Sequence, residues 1–434
     1  MLIKNGMVID PANGMEERAD VLVKDGMIWK IARNITTDIL QGNLSACEVI
    51  DASGCVVAPG LVDVHVHFRD PGFLYKEDIA SGARAALRGG FTSVVLMANT
   101  KPAVDNADTL TYVLEKGKGT DLKIYTCATV TKGMAGKELT DMDLLLAKGA
   151  VGFTDDGIPM MDAQLLERAM KKTASLQVPI SLHEENPNLI TDNGVNRGKA
   201  SEYYGIGGSP REAEISLIER DLEIALKTGA ILNIQHMSTK EGVELVRQAK
   251  RKAAALGRNN IHAEATPHHF SLTEEAVIQC GTLAKMNPPL REEADRQAII
   301  AGLEDGTIDI IATDHAPHSR EEKERAITEA PSGIIGLETA LALGITNLVD
   351  KNRLSIRQLI ERMSMNPAKM YGILAGTLSE GSAADLVVFD ANAVQRVGGF
   401  VSKSSNSPFT GQLLKGVVKY TIVNGKIAYC NEKI

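Results

Sequence analysis

Two kinds of hydrophobic pattern divide the chain. From Met1 to about residue 58 the apolar positions come in short runs broken by tight-turn dipeptides. Val21-Leu22-Val23 and Met27-Ile28-Trp29 flank Asp25-Gly26, and Met7-Val8-Ile9 follows Asn5-Gly6. Asn-Gly and Asp-Gly beside β-forming runs predict hairpins, because both dipeptides accept the positive φ that a two-residue turn requires. The far end of the chain has the same pattern. Leu386-Val387-Val388-Phe389 reads as a strand, and Tyr420–Val423, Asn424-Gly425 and Lys426–Tyr429 read as a hairpin. Two β-rich ends around a different middle predict one small β domain built from residues 1–58 and 375–434. The polar stretch Ser402–Pro408 reads as a loop on which nothing forces a function.

In the middle, residues 59–374, eight β-rich runs alternate with stretches of helical period. The runs are Val62–Val66, Ser93–Met97, Lys123–Thr129, Ala150–Thr154, Pro179–Leu182, Ile231–Gln235, Ile261–Thr266 and Asp309–Ala312. Between them Asp78–Arg88, Asp162–Ser175, Ile215–Thr228 and Lys240–Ala255 are amphipathic and of helix length. That alternation predicts a parallel sheet covered by helices, and eight strands is the count of a (β/α)8 barrel.

Polar residues close nearly every run. The first ends in His65-Val66-His67 with Arg69 beyond it, the second in Asn99, the fourth in Asp155-Asp156 and the fifth in His183. The sixth ends in His236, the seventh in His268-His269, and the eighth in Asp314-His315 with His318 beyond. In a parallel barrel these ends share one rim, where active sites are assembled. His-x-His on a strand puts both imidazoles on one face, since side chains alternate with period two. With further histidines and carboxylates from neighbouring strands, the set suits Zn²⁺ or a similar divalent ion.

Composition adds exclusions. A net charge of −8 and a pI near 5.7 argue against nucleic-acid binding, which needs a basic face. No apolar stretch reaches the roughly 18 residues of a membrane span, and Asp10 interrupts the start where a signal peptide would be apolar. The five cysteines, Cys47, Cys55, Cys127, Cys280 and Cys430, are odd in number and lack a CxxC pair, which predicts a reduced, cytoplasmic protein. Neither Gly205-Ile206-Gly207-Gly208 nor Gly133–Lys137 has the context of a phosphate-binding loop.

Pro59-Gly60-Leu61-Val62-Asp63-Val64-His65-Val66-His67 resembles the opening strand of the amidohydrolase superfamily, and the resemblance extends over essentially the whole chain. His67-Phe68-Arg69-Asp70-Pro71-Gly72, Met97-Ala98-Asn99-Thr100, Asn287-Pro288-Pro289-Leu290-Arg291, Ala312–His318 and Ala330–Glu338 are similar to the motifs of dihydroorotases. In the fourth run, Thr154-Asp155-Asp156-Gly157 stands where many relatives carry a carboxylated lysine, and Lys148 precedes the run. That pattern resembles the type I bacterial dihydroorotases, in which an aspartate takes the lysine's place. Spacing to His183 favours Asp156 as that ligand, with Asp155 the alternative because the two face opposite ways on a strand.

The resemblance implies a TIM-like barrel with a small β-sandwich domain made from both chain ends. It implies two Zn²⁺ per subunit, with His65 and His67 on one ion, His183 and His236 on the other, Asp156 bridging and Asp314 adding an oxygen to the first. The implied reaction is the reversible cyclisation of N-carbamoyl-L-aspartate to (S)-dihydroorotate, by a metal-bound hydroxide with Asp314 as acid and base. Arg69, Asn99, Asn287, His318, Ser332 and Gly333, with His67, would contact the substrate. A homodimer is expected from the resemblance alone, and nothing in the residues supports association with other pyrimidine-pathway enzymes. The alternatives are another cyclic-amide hydrolase (hydantoinase, dihydropyrimidinase or allantoinase) and a non-catalytic scaffold. His268, His269 and His315 are expected in supporting roles, and His262 at the far end. The charge run Arg320–Arg325, within residues 319–331, reads as either a solvated segment or a mobile cover.

Overall fold

A computed structural model describes residues 1–35 and 48–431 of the chain; Cys47 lies outside the described residues. The strands from the first chain end are β1 (Leu2–Asp10), β2 (Met15–Lys24), β3 (Met27–Ala32), β4 (Val49–Asp51) and β5 (Val56–Pro59). Seven strands of the middle follow: β6 (Leu61–Val66), β7 (Phe91–Leu96), β8 (Lys123–Thr126), β9 (Ile180–Leu182), β10 (Leu232–Ile234), β11 (Ile261–Ala265) and β12 (Ile310–Ile311). The last three are β13 (Leu386–Arg396), β14 (Leu413–Val423) and β15 (Lys426–Cys430).

Strands from both ends share one eight-stranded sheet in the order β15-β14-β13-β5-β1-β2-β3, with β4 also paired to β1. The turn dipeptides explain two of its corners. Asp25 (φ 52°) and Gly26 (φ 77°) join β2 to β3, and Asn424 (φ 48°) and Gly425 (φ 74°) join β14 to β15. Two consecutive positive φ angles give the backbone twist that antiparallel neighbours need. Val8, Val57, Leu386 and Ile422 meet in one buried cluster, which ties the first and last stretches of the chain together. Asn5-Gly6 departs from the hairpin expectation. It lies inside β1, where Asn5 (φ 64°) makes a bulge against β2 and its N–H donates to Asp20. Only three strand residues precede it, too few to form a hairpin's first arm, so the positive φ kinks the strand instead.

The middle strands are parallel and form two sheets, β6-β7-β8 and β12-β11-β10-β9. Helices pack around them, and their starts follow capping chemistry. Asp78 accepts from Ser81 N to open Ile79–Arg88, Asp162 opens Ala163–Leu176 and Thr239 opens Lys240–Ala255. The fourth expected run, Ala150–Thr154, makes main-chain bonds to both neighbours, among them Val151 N to Thr126 O at 3.1 Å and Phe153 N to Pro179 O at 3.0 Å. It joins its neighbours through single bridges from Phe153 to Ala128 and to Ile180. Just beyond it, the Asp155 carboxylate takes the N–H groups of Val130 and Thr131 at 2.8 and 3.2 Å and fixes the loop there. On the opposite side Val66 and His315 make one further bridge. The strands therefore succeed one another through these bridges, but the ladders do not close into a continuous barrel.

Asp63 helps to hold the end of β6 beside the segment after β12. It is fully buried, and its carboxylate accepts from His65 N at 3.1 Å and from Thr313 N at 3.1 and 3.2 Å. Burial pushes its carboxyl up to about 6 despite those bonds. Asp63 thus sets the spacing between the His-x-His strand and Asp314.

Candidate metal and substrate site

His65 projects from β6 and His67 from the residue after it, on the same side, with ring centroids 5.4 Å apart. Nε2 of His65 lies 3.4 Å from Asp156 and 3.5 Å from Asp314. Nε2 of His67 lies 3.5 Å from Asp156 and 3.0 Å from Asp314. From the ends of β9 and β10 come His183 and His236, with Nδ1 of the first 2.9 Å from Nε2 of the second and 3.9 Å from Asp156 Oδ1. Asp156 is thus shared by both pairs of imidazoles. Two overlapping groups, His65/Asp156/His236 and His65/His67/Asp314, bring their donor atoms close enough together to hold a cation. All six residues that the sequence nominated as ligands meet here. Asp155 turns away to brace the loop at Val130 and Thr131.

The donor set fits a metal on a physical test. His65 is 0% exposed and among the described residues its Nε2 makes no hydrogen bond, an expensive arrangement for a buried polar atom that a cation would relieve. Charge argues the same way. Burial opposes ionisation of Asp156, yet the imidazoles of His65, His67 and His183 hold its carboxyl well below the usual range. Burial likewise lowers His65, but Asp156, Glu264 and Asp314 raise it well above an ordinary imidazole. His236 is pushed well down by burial and by His183 and His65, so it stays neutral. A cluster this acidic demands positive charge, as protons or as a cation that displaces them.

Three side chains orient these imidazoles, two of them, Glu264 and Glu185, outside the nominated set. Glu264 Oε2 stands 3.0 Å from His65 Nδ1, and its other oxygen accepts from Asn233 at 2.6 Å. Because a carboxylate only accepts, Nδ1 carries the hydrogen, and neutral His65 presents the Nε2 lone pair to the cluster. Glu185 stands 3.2 Å from His183 Nε2, leaving Nδ1 toward His236. Asn99 Oδ1 lies 3.0 Å from His67 Nδ1, and its amide donates to Asp156 at 2.9 Å. Replacing Glu264 with Leu should weaken divalent-metal affinity by about 10- to 100-fold, and Gln should weaken it less because it keeps an acceptor. Competition against a chromogenic chelator measures this; a Leu variant as tight as wild type would remove Glu264 from the account.

Above the cluster opens a cavity of about 220 Å³ lined by Arg69, Asn99, Asn287, His318, Ser332 and Gly333, together with His67, Asp156, His183, His236 and Asp314. Arg69 donates from Nε to Pro317 O at 3.3 Å, and burial lowers its guanidinium despite Asp314 and Asp156. Asn287 Oδ1 is buried and has no partner among the described residues. His318 Nε2 donates to Ser332 O at 2.8 Å, and its Nδ1 accepts from Lys76 at 3.3 Å. Burial, with Arg69, Lys76 and Lys323, holds that imidazole neutral. Gly333 has φ 146° and leaves no room for a side chain, because a Cβ would lie 2.8 Å from Ala316 O. Arg69 (φ 58°), His236 (φ 29°) and Asp314 (φ 47°) also hold positive φ, a cost concentrated at the site.

Other residues fall into supporting places. His269 is fixed between Thr266 and Pro288 O, and burial lowers it to about 4. His315 Nδ1 accepts from Gly336 N, and His262 pairs with Asp309 at 2.7 Å. Lys148 is exposed after the helix Met142–Ala147. The charge run is neither wholly solvated nor free. Arg320–Lys323 is a short helix in which Glu322 pairs with Lys76 at 2.8 Å and Lys323 is buried. Asn406, in the polar loop near the C-terminus, accepts from His318 N and donates to Ala316 O and Gly333 O. Only the polarity of that loop could have hinted at this in the sequence.

Comparison with known proteins adds three findings. The amidohydrolase family profile matches residues 56–428. A dihydroorotase of Clostridioides difficile (strain 630) is 55% identical over 429 residues, 99% of each chain. Dihydroorotases of Clostridium acetobutylicum and of Lactococcus lactis subsp. lactis are each 50% identical, again over 99% of both chains. Among solved structures, the L-hydantoinase (dihydropyrimidinase) of Arthrobacter aurescens superimposes with a TM-score of 0.85 at 27% identity, covering 98% of this chain and 95% of that one. The dihydropyrimidinase of Brevibacillus agri NCHU1002 gives 0.83 at 22% identity, a likeness of fold, over 100% of this chain and 95% of that one.

Proposed function

We propose, for a chain that belongs to the amidohydrolase family, that this cavity interconverts N-carbamoyl-L-aspartate and (S)-dihydroorotate. The reaction is that of a dihydroorotase, a step of pyrimidine synthesis. The observation that carries this reading is 48–55% identity to dihydroorotases over 99% of the chain, with five of the six nominated donors in groups able to hold a cation and the sixth, His183, 2.9 Å from His236. The finer reading is a type I enzyme with two Zn²⁺ per subunit in a (β/α)8 barrel. Its support is Asp156, shared between both imidazole pairs, and the absence of any lysine among the described residues lining the cavity.

His65, His67 and Asp314 would hold one ion, His183 and His236 the other, with Asp156 between them. A bound cation of this kind lowers the pKa of water to about 7 and polarises an amide carbonyl. The chain's own groups do the rest. In ring opening Asp314 takes the proton of the attacking water and delivers it to the departing ring nitrogen. In ring closure it takes the proton back from the carbamoyl nitrogen. Arg69 grips the substrate carboxylate with two parallel donors. Asn99 spends its amide on His67 and Asp156, so it positions the cluster as well as lining the cavity. Asn287 Oδ1 is free to accept from a ring N–H.

The hydantoinase reading has the structural likeness at 27% identity to the L-hydantoinase of Arthrobacter aurescens in its favour. Steady-state ring opening of dihydroorotate, hydantoin and allantoin separates the two. We expect kcat/KM for dihydroorotate to exceed the others by about a thousandfold or more, because a site built around a carboxylate rejects rings lacking one. Preference for hydantoin would overturn the assignment.

A further inference from the structure

Lys285 and Lys323 are buried, 4% and 5% exposed, and among the described residues neither ammonium forms an ion pair. Their partners are main-chain carbonyls of one short segment. Lys285 Nζ donates to Ala330 O at 2.7 Å, and Lys323 Nζ donates to Pro331 O at 2.8 Å and Gly333 O at 3.2 Å. Lys76, by contrast, has Glu322 at 2.8 Å. Burial and the neighbouring Lys285 push the Lys323 ammonium down to about 7. Asp192 and Glu322 are the carboxylates that act on Lys285 and Lys323, but neither comes within ion-pair distance, and two neighbouring buried ammonium groups so weakly compensated are unfavourable in an isolated protein. They stand behind Ser332 and Gly333, which line the cavity. Among the described residues the Ser332 N–H has no protein acceptor, whereas Ser332 O is taken by His318.

We propose that Lys285 and Lys323 are specificity-determining residues, which tie down the carbonyls of Ala330, Pro331 and Gly333 and lend positive potential to the Ser332–Gly333 wall so that it selects substrates bearing a carboxylate. The missing counter-ion is the ligand's own. Lys323, bonded to Pro331 O, polarises the peptide that carries the Ser332 N–H. The carbonyl bound by Lys285 belongs to the Ala330–Pro331 peptide, which has no N–H, so Lys285 acts through its charge, which in a low-dielectric wall reaches several ångströms. Arg69 and the two lysines then give the cavity a cationic wall above its acidic floor.

This inference rests on the dihydroorotase reading, and its test separates the two. The probes are dihydroorotate and its primary amide, which keeps the shape and loses the charge. In K323M we expect kcat/KM for dihydroorotate to fall about tenfold, carried by KM, while the value for the amide changes less than about twofold. K323R should stay within about threefold of wild type, because it keeps the charge, and K285M should behave as K323M does. If both probes lose activity by the same factor, the lysines merely hold the loop; if K323M and K285M equal wild type, they hold nothing relevant. Either result overturns the proposal. A wild-type enzyme that fails to open dihydroorotate would instead remove the reading beneath it.

Discussion

Asp314→Asn is expected to abolish most turnover, about 10²- to 10⁴-fold in kcat in both directions, while much of the bound metal is retained. The carboxylate sits 3.0 Å from His67 Nε2 and 3.5 Å from His65 Nε2 in a left-handed backbone conformation that aims it into the cluster. Asparagine keeps an oxygen that a cation can use but cannot carry a proton between water and the ring nitrogen. Metal content would be measured on the same preparation as the rates. Wild-type rates in this variant would take Asp314 out of proton transfer.

Arg69→Ala should raise KM for dihydroorotate roughly a hundredfold, the equivalent of about 3 kcal/mol for a buried charge-assisted pair. Its Nε donates to Pro317 O and Nη2 lies 3.4 Å from His318 Nε2, so the guanidinium is held in the cavity lining beside a second residue that lines it. Because Arg69 belongs to neither metal group, metal content should stay near that of wild type. A KM within about threefold of wild type would mean that the carboxylate is held elsewhere.

Much of this site was legible in the sequence because it is written at strand ends. His65, His67, Asp156, His183, His236 and Asp314 each close or follow a β-rich run, and period-two alternation was enough to bring the first two together. The helices within Asp78–Arg88, Asp162–Ser175 and Lys240–Ala255 and the turns at Asp25-Gly26 and Asn424-Gly425 were equally local, so periodicity and turn chemistry sufficed. What escaped depends on contacts far apart in the chain. Glu264 sits within a strand, and only its neighbour 199 residues away makes it matter. Asn406 looked like an ordinary loop residue, yet it binds His318 N from 88 residues away. Lys323 was hidden in a run of charges whose other members face solvent or a salt bridge. Asn5-Gly6 carried a hairpin dipeptide without a first arm.

Metal stripping and reconstitution test the central claim most directly. Protein freed of metal by a chelator should lose ring opening of dihydroorotate, and titration with Zn²⁺ should restore it as two equivalents bind per chain. Full activity in the stripped protein, or a wild-type chain that binds no divalent ion at this cluster, would contradict the account.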